Sequence, residues 1–194
     1  MRFGLVYDFR NPVAWRKPWD EVYQGLLDQI VLAEELGYDS IWLTEHHFVE
    51  DGYTPSPVPL MAAIAARTKR VQISTDILIL PLYHPVKLAE DIATIDAVSG
   101  GRVMLGVGSG YRDEEFAAFG TSRRERGSRM EEGVAVLRGC WADGPFSFSG
   151  KHYQYDGIDV TPKPVQKPHP PVWMAATAEP AARRAARLGL HLLP

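Results

Sequence analysis

Five short apolar runs punctuate this chain, at 3–7, 40–44, 71–80, 103–107 and 172–176, and a stretch with helical periodicity follows each. Three successive units lie about thirty residues apart, and no other feature restricts the fold as much. In 19–36, Tyr23, Leu26, Leu27, Ile30 and Ala33 recur at helical spacing and Gly37 supplies the stop. Pro57 and Pro85 sit where helices start, since the first helical residue needs no backbone donor. Gly100-Gly101 ends the helix that carries Leu88, Ile92, Ile95 and Val98 on one face. Further helices are expected over 122–141 and 180–188. Alternation of this kind gives a parallel sheet with right-handed crossovers. A closed (β/α)8 barrel and an open doubly wound sheet both satisfy it.

The polar residues favour the barrel. In SIWLTEHHFVE, at 40–50, the apolar run Ile41, Trp42, Leu43 gives way without a break to Thr44, Glu45, His46 and His47. A buried strand ending in a carboxylate and two imidazoles is how a barrel strand enters an active site. The pattern recurs: Tyr7-Asp8, Ser109, Tyr111 and Thr177 lie at or just past other strand ends, and Asp76 joins them from within the third run. An open sheet uses one crevice and needs fewer strands to build it. By position, Tyr7, Glu45 and His47 are candidates for the substrate side of such a site.

With 194 residues, 45% hydrophobic and 23% charged, the chain reads as one domain, 1–194, large enough to bury a core. A net charge of -3 offers no attraction for nucleic acid or an anionic membrane, and no run reaches membrane-spanning length. No basic leader with an apolar stretch opens the chain, so a cytoplasmic protein is expected. The single cysteine, Cys140, excludes an internal disulfide and argues against a cysteine-held zinc. The segment 144–171 departs from the alternation. Aromatic and polar residues alternate in FSFSGKHYQYDG, then prolines crowd PKPVQKPHPP, so a surface hairpin and an extended connection are expected. The hairpin aromatics read as cross-strand pairs.

GVGSGY, at 106–111, has half the glycines of a dinucleotide fingerprint. It follows the fourth strand rather than the first, and no acidic residue follows in place. A turn that lets a flat ring or a phosphate approach the backbone fits better. His46-His47 invites a metal, but neighbours on a strand point to opposite faces, and neither H-x-H nor H-E-x-x-H occurs. No metal is expected. Convergence of Glu45, His46, Asp76 and His84 in a metal-dependent barrel hydrolase stays open as a second reading. Otherwise His84-Pro85 is a helix start. Arg123, Arg124, Arg126 and Arg129, interleaved with Glu125, Glu131 and Glu132, read as a solvated helix face. Arg183, Arg184 and Arg187 read as the outside of the last helix.

Three stretches, WLTEHHF, ILPLYHPVKLAEDIATIDAVSGGRVMLGVGSGY and KPVQKPHPPVWMAAT, resemble the bacterial luciferase-like family of flavin-dependent oxidoreductases, in order along the whole chain. The resemblance implies a TIM barrel that binds reduced FMN, or in some branches the deazaflavin F420, at its C-terminal face. It implies a monooxygenase acting with O2 on a small organic substrate, or hydride transfer to or from F420. A separate flavin reductase and a homo-oligomer are the implied partners. Within the motifs, His46 matches the family's catalytic histidine, with general acid–base work as its implied role. Asp76-Ile77 matches a non-prolyl cis peptide beneath the flavin ring. Gly108, Ser109 and Tyr111 match the flavin-binding loop, and Ala176, Thr177 and Ala178 a phosphate-binding turn at a helix start.

Two departures qualify the match. Luciferase has an arginine for the phosphate where this chain has Ser109, and a hydroxyl brings no charge. The family barrel has eight strands, whereas five βα units are legible here, so an incomplete barrel lacking strands six to eight is expected. An inactive truncated remnant is the remaining alternative to an enzyme.

Overall fold

The computed structural model describes residues 1–193. Parallel strands β1 (Gly4–Tyr7), β2 (Ser40–Leu43) and β3 (Gln72–Thr75) pair in chain order. A second parallel set follows, β4 (Leu78–Ile79), β5 (Leu105–Gly108), β8 (Val172–Ala175) and β9 (His191–Leu193). The two sets are joined where Ile73 N–H donates to the Arg102 carbonyl and Met104 N–H donates to the Ile73 carbonyl, both at 2.9 Å. Between β5 and β8 the chain builds an antiparallel hairpin of its own, β6 (Phe146–Ser149) and β7 (Gln154–Ile158).

The helices are α1 (Trp19–Glu35), α2 (Pro57–Arg67), α3 (Pro85–Ser99), α4 (Asp113–Ala118), α5 (Arg126–Trp141) and α6 (Glu179–Arg187). Each long helix lays its apolar stripe on the sheet. α1 contributes Leu27, Ile30 and Ala33, α2 Met61 and Ile64, α3 Leu88 and Ile92, and α5 Met130, Val134 and Leu137. They meet Ile41, Leu43, Ile73, Leu105 and Val107, all fully buried. Burial of a large apolar side chain contributes about 1.5–3 kcal/mol, so this layer supplies most of the stability. Trp141 is buried too, and its indole N–H donates to the Ala89 carbonyl at 3.0 Å. Val98, expected on the buried face of α3, is 56% exposed.

Four differences from the sequence reading concern the order and bounds of the elements. The expected third strand, 71–80, is two strands. Asp76 N–H donates to the Leu43 carbonyl, ending the partnership with β2, and Leu78 and Ile79 then pair with Val107 and Gly108 of β5. The bond between Asp76 and Ile77 is cis. A continuous apolar run hides such a change of partner. Helix α4 was not legible because six residues carry too little periodicity. α5 begins at Arg126, after a 3-10 turn over Arg123–Glu125, rather than at 122. Finally, β9 pairs with β8, so a sixth strand position is filled, and among the described residues the sheet stays open.

Phe148 and Tyr155 are partners across the hairpin, as expected, and further stacks run along the chain, Phe146 on Phe148 and Tyr153 on Tyr155. Glu132 of α5 accepts from the backbone N–H groups of Lys151, His152 and Tyr153, which ties the hairpin turn to the helix. The connection to β8 is pinned by Gln166, which donates to the buried Asp96 carboxylate through both its backbone and side-chain nitrogens. Among the described residues no helix is long and apolar enough to cross a membrane.

The sheet has two free edges, β1 and β9. Val6 is 59% and Leu192 51% exposed, and among the described residues no strand pairs beyond β1 or β9. A polypeptide of these residues alone should therefore self-associate or bind the dye ANS strongly. Gel filtration with light scattering checks this, and a monodisperse monomer without ANS binding would contradict it.

A second expectation comes from half-buried Glu34, at the end of α1. Burial pushes its carboxyl up, but N–H groups of Val71, Lys69 and Arg70 outweigh that and hold the pKa below its ordinary 4.5. A depressed carboxyl stabilises the fold fully above that ordinary value and ceases to as pH falls through the folded one. In the whole protein, Glu34→Gln should lower the urea midpoint at neutral pH, with the gap from wild type closing below pH 4.5. A gap independent of pH would mean that the carboxylate charge plays no part.

Candidate functional site

A cavity of about 640 Å3 opens where the strands end. Four strand ends build it. β2 runs on into Thr44, Glu45 and His46; the crossing between β3 and β4 supplies Asp76 and Ile77; β5 runs into Ser109 and Tyr111; and β8 into Thr177 and Ala178. All strands of a parallel sheet point the same way, so residues far apart in sequence meet at one rim.

His46 is held from both sides. Its Nδ1 lies 3.0 Å from Glu115 Oε1, and its Nε2 lies 3.2 Å from the Tyr111 hydroxyl. Glu115, on α4, has a fully buried side chain, and the same oxygen also accepts the His47 N–H at 2.9 Å. Its other oxygen is buried without a partner. With Glu115 accepting, the imidazole proton sits on Nδ1 and the Nε2 lone pair accepts from Tyr111 at the cavity. The arrangement orients a base and leaves it one exposed partner, since Tyr111 itself is 67% exposed.

The floor is made by glycines. A Cβ on Gly108 would overlap the Ile77 side chain, and one on Gly110 would lie 2.7 Å from Ile79 Cγ2. Gly110 also has φ +69, a conformation glycine adopts without cost. Asp76 is exposed at this floor, and desolvation by the surrounding protein raises its carboxyl pKa.

Arg123, Arg124, Arg126 and Arg184 line the same cavity, the first two from the 3-10 turn before α5, Arg126 from the start of α5 and Arg184 from α6. This corrects their reading as solvated helix faces. Arg123 pairs with Asp113 and Arg184 with Glu131, whereas Arg124 and Arg126 enter no ion pair among the described residues. The positive end of α6 begins just after Ala178, so cationic side chains and a helix N-terminus meet there.

Of the residues expected at a site, His46, Glu45, Asp76, Ile77, Gly108, Ser109, Tyr111, Thr177 and Ala178 line this cavity. Ala176, Tyr7 and His47 do not. Ala176 N–H donates to the Leu193 carbonyl, so it belongs to the β8–β9 ladder. The Tyr7 ring packs on Phe9, and burial, with Tyr38 nearby, raises its pKa. His47 faces a separate groove between α2 and α3, opposite to His46 as strand alternation requires. His84 lies on that groove too, against Tyr153 and Tyr155, so it does not join Glu45, His46 and Asp76. Among the described residues no cluster of three or more His, Cys, Asp or Glu could hold a metal.

Sequence reasoning missed Glu115 and the arginines. Glu115 stands four residues past Tyr111 in a helix too short to recognise, and nothing local marks its carboxylate as facing His46.

Residues 1–194 match the family model of the luciferase-like monooxygenases. The chain belongs to that family. A monooxygenase, RslO1 from Streptomyces bottropensis, is 34% identical and superposes with a TM-score of 0.91 over 99% of this chain and 59% of its own. An F420-dependent glucose-6-phosphate dehydrogenase from Amycolatopsis mediterranei is 36% identical over 86% of this chain and 51% of its own. The oxygenase component of a flavin-dependent trigonelline monooxygenase from Acinetobacter baylyi is 29% identical over 91% and 49%. The chain thus spans about half the length of the curated relatives it matches. Family members include both flavin-dependent monooxygenases and F420-dependent oxidoreductases.

Proposed function

We propose that the whole protein binds reduced FMN in this cavity and, with O2, oxidises a small organic substrate. One observation carries the reading: the same cavity holds a carboxylate-backed histidine, a glycine floor and guanidinium groups without ion partners. The residues present fit a flat ring bearing a phosphate. Gly108 and Gly110 leave the floor free of side chains, and Ile77 lies against it. Arg124 and Arg126, with the N–H groups of Thr177 and Ala178, supply donors and charge for a phosphate. They compensate for Ser109, which brings a hydroxyl where luciferase has an arginine.

Bound reduced flavin supplies the electrons for the oxidation. His46 accepts or delivers a proton at the reacting atoms through Nε2, while Glu115 keeps Nδ1 protonated and the ring in place. Tyr111, hydrogen-bonded to that nitrogen, marks the place where a reacting group would meet it. His47 has a structural role, since its ring is turned to Glu45 and the outer groove. A closed eight-stranded barrel, a reductase that delivers the flavin and a homo-oligomer belong to the same reading. The F420-dependent relative at 36% identity supports a second one, in which a deazaflavin occupies the cavity and hydride transfer replaces oxygenation.

Fluorescence titration of the whole protein with FMN, F420 and NADPH separates these. Saturation by FMN supports the first reading, saturation by F420 alone the second, and saturation by NADPH alone refutes both. Arg126→Gln should weaken FMN by about 10–100-fold, the range for hydrogen bonds to a charged group, and leave riboflavin unaffected. Equal losses for FMN and riboflavin would show that Arg126 does not meet the phosphate.

His46→Ala should lower turnover about 10²–10⁴-fold, the usual share of acid–base catalysis, with flavin affinity little changed. His47→Ala should lower the melting temperature more than the rate. Equal losses of turnover in the two variants would remove His46 from the role.

A further inference from the structure

Glu45 is the one carboxylate at the cavity wall whose lone pairs point away from the cavity. Its side chain is fully buried. Oε2 accepts the Ile79 N–H at 2.5 Å, and Oε1 accepts the Tyr83 hydroxyl at 2.6 Å and faces His47 Nε2 at 3.1 Å. These donors satisfy the charge as a buried carboxylate requires. Its hydrogen-bonding capacity is thus turned to the protein, although the residue lines the cavity. It binds the end of β2 to a segment 34 to 38 residues later in the chain.

What it grips matters. Ile79 belongs to β4, and Ile77, two residues before it, forms the cavity floor against Gly108. β4 is only two residues long and has no ladder to β2, which stops at Asp76. From the β2 side, Glu45 replaces the missing ladder with a single charged acceptor. Tyr83, at the far end of the corner, is aimed at the same carboxylate and lines the outer groove rather than the cavity.

We propose that Glu45 is a positioning residue, which through Ile79 and Tyr83 sets the height of the Ile77 floor on which the cofactor ring lies. The inference rests on the cofactor reading above. It assigns Glu45 no proton transfer and no contact with substrate.

Tyr83→Phe is the decisive variant, because it keeps the ring packing and alters no cavity-lining atom. In the whole protein it should weaken FMN about three- to tenfold and change the visible circular dichroism of bound flavin. Glu45→Gln should weaken FMN more than tenfold. In the apoprotein, amide exchange at Ile79 should accelerate in both. In the double variant, Tyr83→Phe should add little, as expected when two residues act through one contact. FMN affinity and flavin dichroism unchanged in Tyr83→Phe, or losses that simply add, would overturn the inference even if wild type binds FMN tightly. If Glu45→Gln does not fold, Tyr83→Phe with its exchange rate and dichroism still decides. Wild type that binds neither FMN nor F420 would overturn the cofactor reading, and this inference with it; F420 is titrated in FMN's place if it alone binds.

Discussion

Every strand that forms the floor of this protein runs in the same direction, and that constraint organises the rest. Parallel pairing requires a crossover after each strand, and the crossover helices cover one face of the sheet with apolar stripes. It also collects every strand's C-terminal end at one rim. His46 after β2, Asp76 after β3, Ser109 after β5 and Thr177 after β8 meet there although the chain spaces them far apart. The strands are richer in apolar residues than the rim they lead to, although β3 buries Ser74 and Thr75. Ile41, Leu43, Leu105 and Val107 are spent on the core, and chemistry is left to the residues that follow them.

The rim is also where regular pairing gives way. Between β3 and β4 the chain leaves one neighbour and joins another, and the gap is bridged by side chains rather than by a ladder. Glu45 does this from the β2 side, and a second buried carboxylate, Glu115, braces the neighbouring histidines. A carboxylate suits such a post because it accepts several N–H or O–H donors at once, and charge assistance strengthens each bond. The same burial makes either one costly to leave unpaired, which ties the site's geometry to the stability of the fold.

Charge is distributed with similar economy. A chain with net charge -3 concentrates Arg123, Arg124, Arg126 and Arg184 at one cavity. Asp113 and Glu131 engage two of them, and the start of α6 adds its own partial positive charge. The result is a cluster of guanidinium groups at one cavity of an overall acidic molecule.

Much of this was legible in the chain itself. The period of the apolar runs determined the strand–helix alternation, and the break from Leu43 to Thr44-Glu45-His46 marked a strand entering a site. Alternation along a strand already separated His46 from His47. These are local properties, set by backbone geometry and side-chain period within a few residues. The tertiary structure alone decided which strand Leu78 and Ile79 would join, because a buried run is equally apolar toward either neighbour. It alone brought Arg126 and Arg184 into the cavity, since a surface arginine and a site arginine have the same local pattern. It turned the Glu45 carboxylate toward Ile79 and Tyr83 and set Glu115 behind His46. Those pairings depend on how separate segments pack, and no spacing within the sequence encodes the distance between them.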